Sequence, residues 1–133
     1  MVAFLPQHDG LLPLWLLLIS LVSILNSAQA YSTLKYTQRV YSASPASVTA
    51  LSARTFGTWT FLSSVIRLYA AYNISEPAFY QLAICTFVLA FLHFMSEWNI
   101  FKTAAWGAGL AGPVFVASGS LVWMLTQWGY YVQ

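Results

Sequence analysis

Between residues 51 and 72 the chain reads LSARTFGTWTFLSSVIRLYAAY, in which Ala53, Gly57, Thr60, Ser64, Arg67 and Ala71 recur at spacings of four and three. That period places them on one face of a helix. Phe56, Trp59, Leu62, Ile66 and Tyr69 fall on the opposite face. A small and polar stripe on an otherwise apolar helix marks where a lipid-buried helix meets protein. Three further stretches are apolar over the roughly 20 residues needed to cross about 30 Å of hydrocarbon. The pattern therefore predicts an all-α integral membrane protein, a four-helix transmembrane bundle with spans near 11–31, 54–72, 78–98 and 107–128.

The segments between the spans set the topology. Residues 32–53 are rich in Ser, Thr and Ala and form the only long loop expected, whereas residues 73–77 (NISEP) make a short turn. A short turn makes spans two and three an antiparallel hairpin. Ala28-Gln29-Ala30 imitates a signal-peptide cleavage site, but the flank before the first span holds His8 and Asp9 and no Lys or Arg. A retained span is the better reading. Lys35, Arg39 and Arg54 lie in or beside the long loop and Lys102 in the third connection, while Asp9 and Glu76 mark the opposite side. The positive-inside rule then puts residues 32–53 and 99–106 in the cytosol and both termini across the membrane. Asn73-Ile74-Ser75 matches a glycosylation sequon, but it is pinned at the membrane surface between two spans, so its use is not expected.

The third span carries its own stripe, Ala83, Thr86, Ala90, His93 and Glu97. Setting Ala53 level with Glu97 puts Gly57 opposite His93, Thr60 opposite Ala90, Ser64 opposite Thr86 and Arg67 opposite Ala83. Gly57 then leaves room for the imidazole, and Arg54 lies near Glu97 at the cytosolic rim. An unpaired charge at mid-membrane costs about 2.5–3.5 kcal/mol on insertion scales, so such pairing is expected. Arg67 has two outlets: outward toward Glu76, or inward to Ser118 or Ser120 of the fourth span.

Composition narrows the chemistry. Of 133 residues 59% are hydrophobic and 6% charged, and mean hydropathy is +0.69, so the chain cannot coat itself for water. Five Lys/Arg against three Asp/Glu give a net charge of +2, too little for a nucleic-acid face. The single Cys85 excludes an internal disulfide and a cysteine-based zinc site. His8, His93 and scattered carboxylates are too few for a catalytic metal, and neither a serine elbow nor a phosphate loop occurs. GAGLAGP (107–113) follows no strand, so its glycines read as close helix packing or a bent entry. What is left is a structural polar seam: Arg54, Gly57, Thr60, Ser64, Arg67, Thr86, His93 and Glu97. No cofactor is expected.

Four blocks also carry a resemblance: LPLWLLLISLVSILNSAQAY (12–31), LSARTFGTWTFLSSVIRLYAAY (51–72), HFMSEWNIFKTA (93–104) and GAGLAGPVFVASGSLVWM (107–124). They closely resemble the ergosterol biosynthetic protein 28 family, small membrane proteins of the endoplasmic reticulum. The resemblance implies a non-enzymatic scaffold with no catalytic residue to carry over. Its implied partners are a C-4 methyl sterol oxidase, a 3β-hydroxysteroid dehydrogenase/C-4 decarboxylase and a 3-keto sterol reductase, with other late sterol enzymes in association. The uncharged tail LTQWGYYVQ (125–133) departs from fungal relatives with charged residues there, and it has no dilysine retrieval signal. Two rival readings stand beside the scaffold. One is a membrane sterol isomerase or reductase with His93 as base polarised by Glu97; the other is a sterol-binding subunit. Ala108, Gly112, Gly119 and Ser120 are candidate packing residues for a homodimer.

Overall fold

The computed structural model describes residues 5, 6 and 10–132, with the side chain of Ala108 excepted; His8 and Asp9 lie outside the described residues. The described chain is helical: α1 (Leu12–Ser32), α2 (Lys35–Val40), α3 (Ala50–Tyr72), α4 (Pro77–Asn99), α5 (Ala108–Thr126) and α6 (Trp128–Tyr131). By length and composition three helices can cross a membrane: α1, α4, and α5 from Gly109. The fourth long helix, α3, is as long as α4 but interrupts its apolar run with Arg54, Arg67 and many hydroxyls.

Local chemistry accounts for the helix ends. Pro13 and Pro77 sit in the first turns of α1 and α4, where no backbone N–H is needed for an intrahelical bond. Helix α3 starts at Ala50, earlier than the span expected from 54, because Thr49 and Ser52 form a capping box: Ser52 N–H donates to Thr49 Oγ1 at 3.1 Å and Thr49 N–H to Ser52 Oγ at 2.8 Å. The segment expected to be a long loop is more ordered than its composition indicates. It contains α2 and a 3₁₀ turn at Pro45–Ser47. Six residues would not hold a helix alone. Close packing of α2 on α5 stabilises it, for a Cβ placed on Gly109 would lie 2.3 Å from the Arg39 carbonyl oxygen.

Two apolar cores form, one toward each end of the molecule. The first joins Leu12 and Leu16 of α1, Ala70 and Ala71 of α3, Tyr80 and Phe87 of α4, Met124 of α5 and Tyr131 of α6. The second joins Ala30, Val40, Phe56, Ala90, Phe94, Leu110 and Val114. Helix α3 packs more extensively on α1 than on α4. Gly57 shows why. A Cβ there would lie 3.0 Å from Tyr31 Cδ1 and 3.1 Å from the Ser27 carbonyl, and α1 brings its own small stripe, Ser20, Ser23, Ser27 and Ala30, all buried.

The uncharged tail has a structural task. Helix α6 sets the Tyr131 hydroxyl 3.1 Å from the Leu12 N–H, one of the N-terminal donors of α1 without an intrahelical acceptor. The buried Tyr80 hydroxyl donates at 2.6 Å to the Met124 carbonyl in the last turn of α5. Each bond contributes about 0.5–1.5 kcal/mol net. Together they close the first core.

Candidate functional site

The polar residues singled out by the stripes divide into two groups, one at the end of the molecule that holds the loops and one at depth. At the loop end, Tyr41 leaves α2 and its hydroxyl meets His93 Nε2 at 2.6 Å. Burial pushes the Tyr41 pKa upward, with Glu97 and Tyr36 adding to the rise, so the phenol stays protonated and donates. The imidazole proton then belongs on Nδ1, which faces Glu97 Oε2 at 4.0 Å. Glu97 Oε1 accepts from the Thr103 hydroxyl, and the Glu97 carbonyl accepts the N–H groups of Thr103 (2.8 Å) and Ala104 (3.2 Å). Lys102 adopts φ 60°, the left-handed conformation that turns the chain back to make those bonds. Ala43 N–H donates to the Thr103 carbonyl at 3.1 Å, so the first loop and the third connection are fastened to one another. Trp59 stands edge-on to His93 at 5.1 Å. A cavity of ≈ 340 Å³ opens beside this relay, bordered by Ser44, Ser52, Thr55, His93 and Glu97.

At depth, Arg67 donates through Nε to Thr86 Oγ1 at 2.9 Å, and its guanidinium carbon lies 4.1 Å over the Phe87 ring. Thr86 in turn donates to the Ala83 carbonyl at 2.7 Å. A second cavity of ≈ 340 Å³ runs between α1, α3, α4 and α5, with Arg67 in its wall.

These placements differ from the equal-depth pairs that the stripes lead one to expect. Arg67 meets Thr86, which was set opposite Ser64, and not Ala83. The cause is side-chain direction: a long helical side chain leans about one turn toward the helix N-terminus. Gly57 faces Ser27 and Tyr31 of α1, and Trp59 takes the place beside His93. Two residues apart on a helix is about 200°, so both cannot face α4. Glu97 has Thr103 and His93 as its neighbours, while Arg54 is exposed and its carbonyl accepts from Thr58. Thr60 and Ser64 bond back to the carbonyls of Phe56 and Thr60 in their own helix. Arg67 reaches neither Glu76 nor the fourth-span serines. Ser120 accepts from Trp15 Nε1 at 2.9 Å, and Ser118 donates to the Val114 carbonyl at 2.7 Å. Ser120 therefore packs inside the chain and not on an outer face, whereas Gly112 and Gly119 are exposed, with open space where a Cβ would sit. Tyr41 and Thr103, the two partners that complete the relay, lie in irregular segments without periodicity and so left no signal in the stripes.

Residues 12–122 match the family described as Erg28 like protein. The chain belongs to the Erg28 family. It is similar to ergosterol biosynthetic protein 28 of Candida albicans, 51% identical over 125 residues, covering 94% of this chain and 91% of that one. The Saccharomyces cerevisiae protein of the same name is 50% identical over 123 residues, covering 92% and 83%. The human ergosterol biosynthetic protein 28 homolog is 40% identical over 118 residues, covering 87% and 84%. No solved structure matches the chain. Family membership covers both groups of polar residues, since Tyr41, Arg67, His93 and Glu97 all fall within the matched segment.

Proposed function

We propose that this Erg28 family member is a non-enzymatic scaffold of ergosterol biosynthesis in the endoplasmic reticulum membrane. In this reading α3 crosses the bilayer with α1, α4 and α5 as a four-helix transmembrane bundle, and α3 and α4 form an antiparallel hairpin. Arg67 supports a membrane course for α3, because its charge is turned inward onto Thr86 and Phe87. The outward faces are apolar, with Leu18, Leu25, Phe61, Leu89, Phe115 and Val122 all exposed. Lys35, Arg39, Arg54 and Lys102 are exposed on the loop end, where α2 meets α5 and Ala43 meets Thr103. That end is cytosolic and both termini are luminal by the positive-inside rule.

The observation that carries the scaffold reading is exposed apolar surface beyond the helices. Ile100 is 67% and Phe101 64% exposed, in the connection between α4 and α5 beside Lys102. Two bare apolar side chains held in a tight, hydrogen-bonded turn make a docking knob for another membrane-surface protein. The partners are the C-4 methyl sterol oxidase, the 3β-hydroxysteroid dehydrogenase/C-4 decarboxylase and the 3-keto sterol reductase. Holding them around one protein raises their effective concentration, so an apolar intermediate passes between them by short lateral diffusion. The His93–Tyr41 relay is then a clamp that fixes the knob and the first loop on the bundle. Replacing Ile100 and Phe101 together by serine is expected to lower recovery of at least one of the three enzymes in a pull-down by about tenfold, a loss of about 1.4 kcal/mol in binding. Unchanged recovery of all three rules this turn out as the docking surface.

A further inference from the structure

We propose that the cavity between α1, α3, α4 and α5 is a binding site for an elongated apolar molecule ending in a carboxylate, with Arg67 as the residue that holds the carboxylate. The proposal goes beyond the scaffold reading and does not depend on it. Arg67 is 7% exposed, and of its five N–H donors only the Nε–H has an acceptor among the described residues, Thr86 Oγ1. No carboxylate pairs with it there. Glu97 is engaged by Thr103 and His93, and Glu76 stands exposed at the turn before α4. A guanidinium buried in apolar surroundings is costly unless an anion compensates it, and its Nη pair matches the two oxygens of a carboxylate. A hydroxyl or ketone would accept a hydrogen bond but leave the charge unpaired. Charge complementarity therefore selects the acid.

The shape of the site selects the body. Along α3 the cavity wall runs from Phe56 to Arg67, about 16 Å at 1.5 Å per residue. Its sides are mostly apolar, with Ile19 and Val22 of α1, Phe87 and Phe94 of α4, and Val116 and Ala117 of α5, interrupted by the polar Ser23, Asn26, Thr60 and Ser63 between α1 and α3. A volume of ≈ 340 Å³ is narrow for that length, which suits a single acyl chain or a flat fused-ring system and excludes a two-chain lipid. Gly112 stands at the rim, exposed, where an added side chain meets nothing within 4 Å. Arg39 borders the opposite end, near the first loop.

Retention of four probes by the full chain in lipid nanodiscs tests this by native mass spectrometry. Palmitate and allolithocholate, the 5α epimer of lithocholate, carry the carboxylate on a flexible chain and on a flat fused-ring body; hexadecanol and the C-24 alcohol of allolithocholate are their neutral counterparts. At least one acid is expected to be retained about tenfold more tightly than its neutral counterpart, the size of one charge-assisted pair, and which acid it is names the body. Arg67→Gln is expected to abolish the preference, and Arg39→Gln to leave it intact. Gly112→Phe, which closes the rim where the backbone has room, is expected to reduce acid retention while thermal stability stays unchanged. The proposal is overturned if acids and neutral counterparts are retained equally, if Arg67→Gln keeps the preference, if Arg39→Gln is the variant that removes it, or if a folded Gly112→Phe retains the acid as wild type does.

Discussion

Replacing Gly109 by alanine is expected to destabilise the folded chain, although alanine is the better helix former. In an open helix the exchange would stabilise by up to about 1 kcal/mol. Here the new Cβ would lie 2.3 Å from the Arg39 carbonyl oxygen and 2.5 Å from its carbon, and backbone atoms cannot swing aside as a side-chain tip can. Helix α2 must move off α5, with loss of packing around Val40 and Leu110 in the second core. Overpacking of this kind costs about 1–3 kcal/mol and more where backbone is displaced, so the net effect is a loss. Thermal denaturation in a fixed detergent, with Gly107→Ala as the control where a Cβ meets nothing, measures it. A Gly109→Ala protein as stable as that control would show that α2 does not press on α5.

The second large effect belongs to Gly57→Leu. The α1–α3 contact is the most extensive between helices, and it depends on a position without a side chain facing Ser27 and Tyr31. A Cβ alone would lie 3.0 Å from Tyr31 and 3.1 Å from the Ser27 carbonyl, so the Tyr31 ring must turn and the α1 backbone must give by a few tenths of an ångström, far less than the 2.3 Å clash at Gly109 demands. The rest of a leucine has nowhere to go without driving the helices apart. Separation also breaks the 2.6 Å bond between the Tyr31 and Thr58 hydroxyls. We expect a loss of about 3 kcal/mol for leucine and under about 1 kcal/mol for alanine, read as urea or thermal unfolding in detergent. Equal behaviour of the two variants would mean that α1 and α3 are not in close contact at Gly57.

The long helices were legible because apolar periodicity and length are local properties, and the start of α3 could have been read from Thr49 and Ser52. The stripe on α3 identified a close-packing face but not its neighbour. Gly57 and His93 lie on separated segments at matching spacing, and only the small stripe on α1, Ser20 to Ala30, shows where Gly57 packs. Arg67 and Thr86 were each visible as polar residues of the seam. Their pairing depends on how far an arginine leans along its helix, which residue spacing does not encode. Helix α2, Tyr41 and Thr103 were illegible for another reason: they are ordered by tertiary contacts with Gly109, His93 and Glu97, and have no intrinsic pattern of their own. The tail was read for its lack of charge alone, whereas what Tyr131 supplies is a hydroxyl for the first turn of α1.

The proposed scaffold role requires that this chain hold other sterol enzymes together. Its most direct test is co-recovery of the C-4 methyl sterol oxidase, the dehydrogenase/decarboxylase and the 3-keto reductase from solubilised membranes of cells with and without the chain, tagging the oxidase. The dehydrogenase and the reductase are expected to accompany the oxidase when the chain is present and to fall by about tenfold or more when it is absent. Equal co-recovery in its absence would contradict the account.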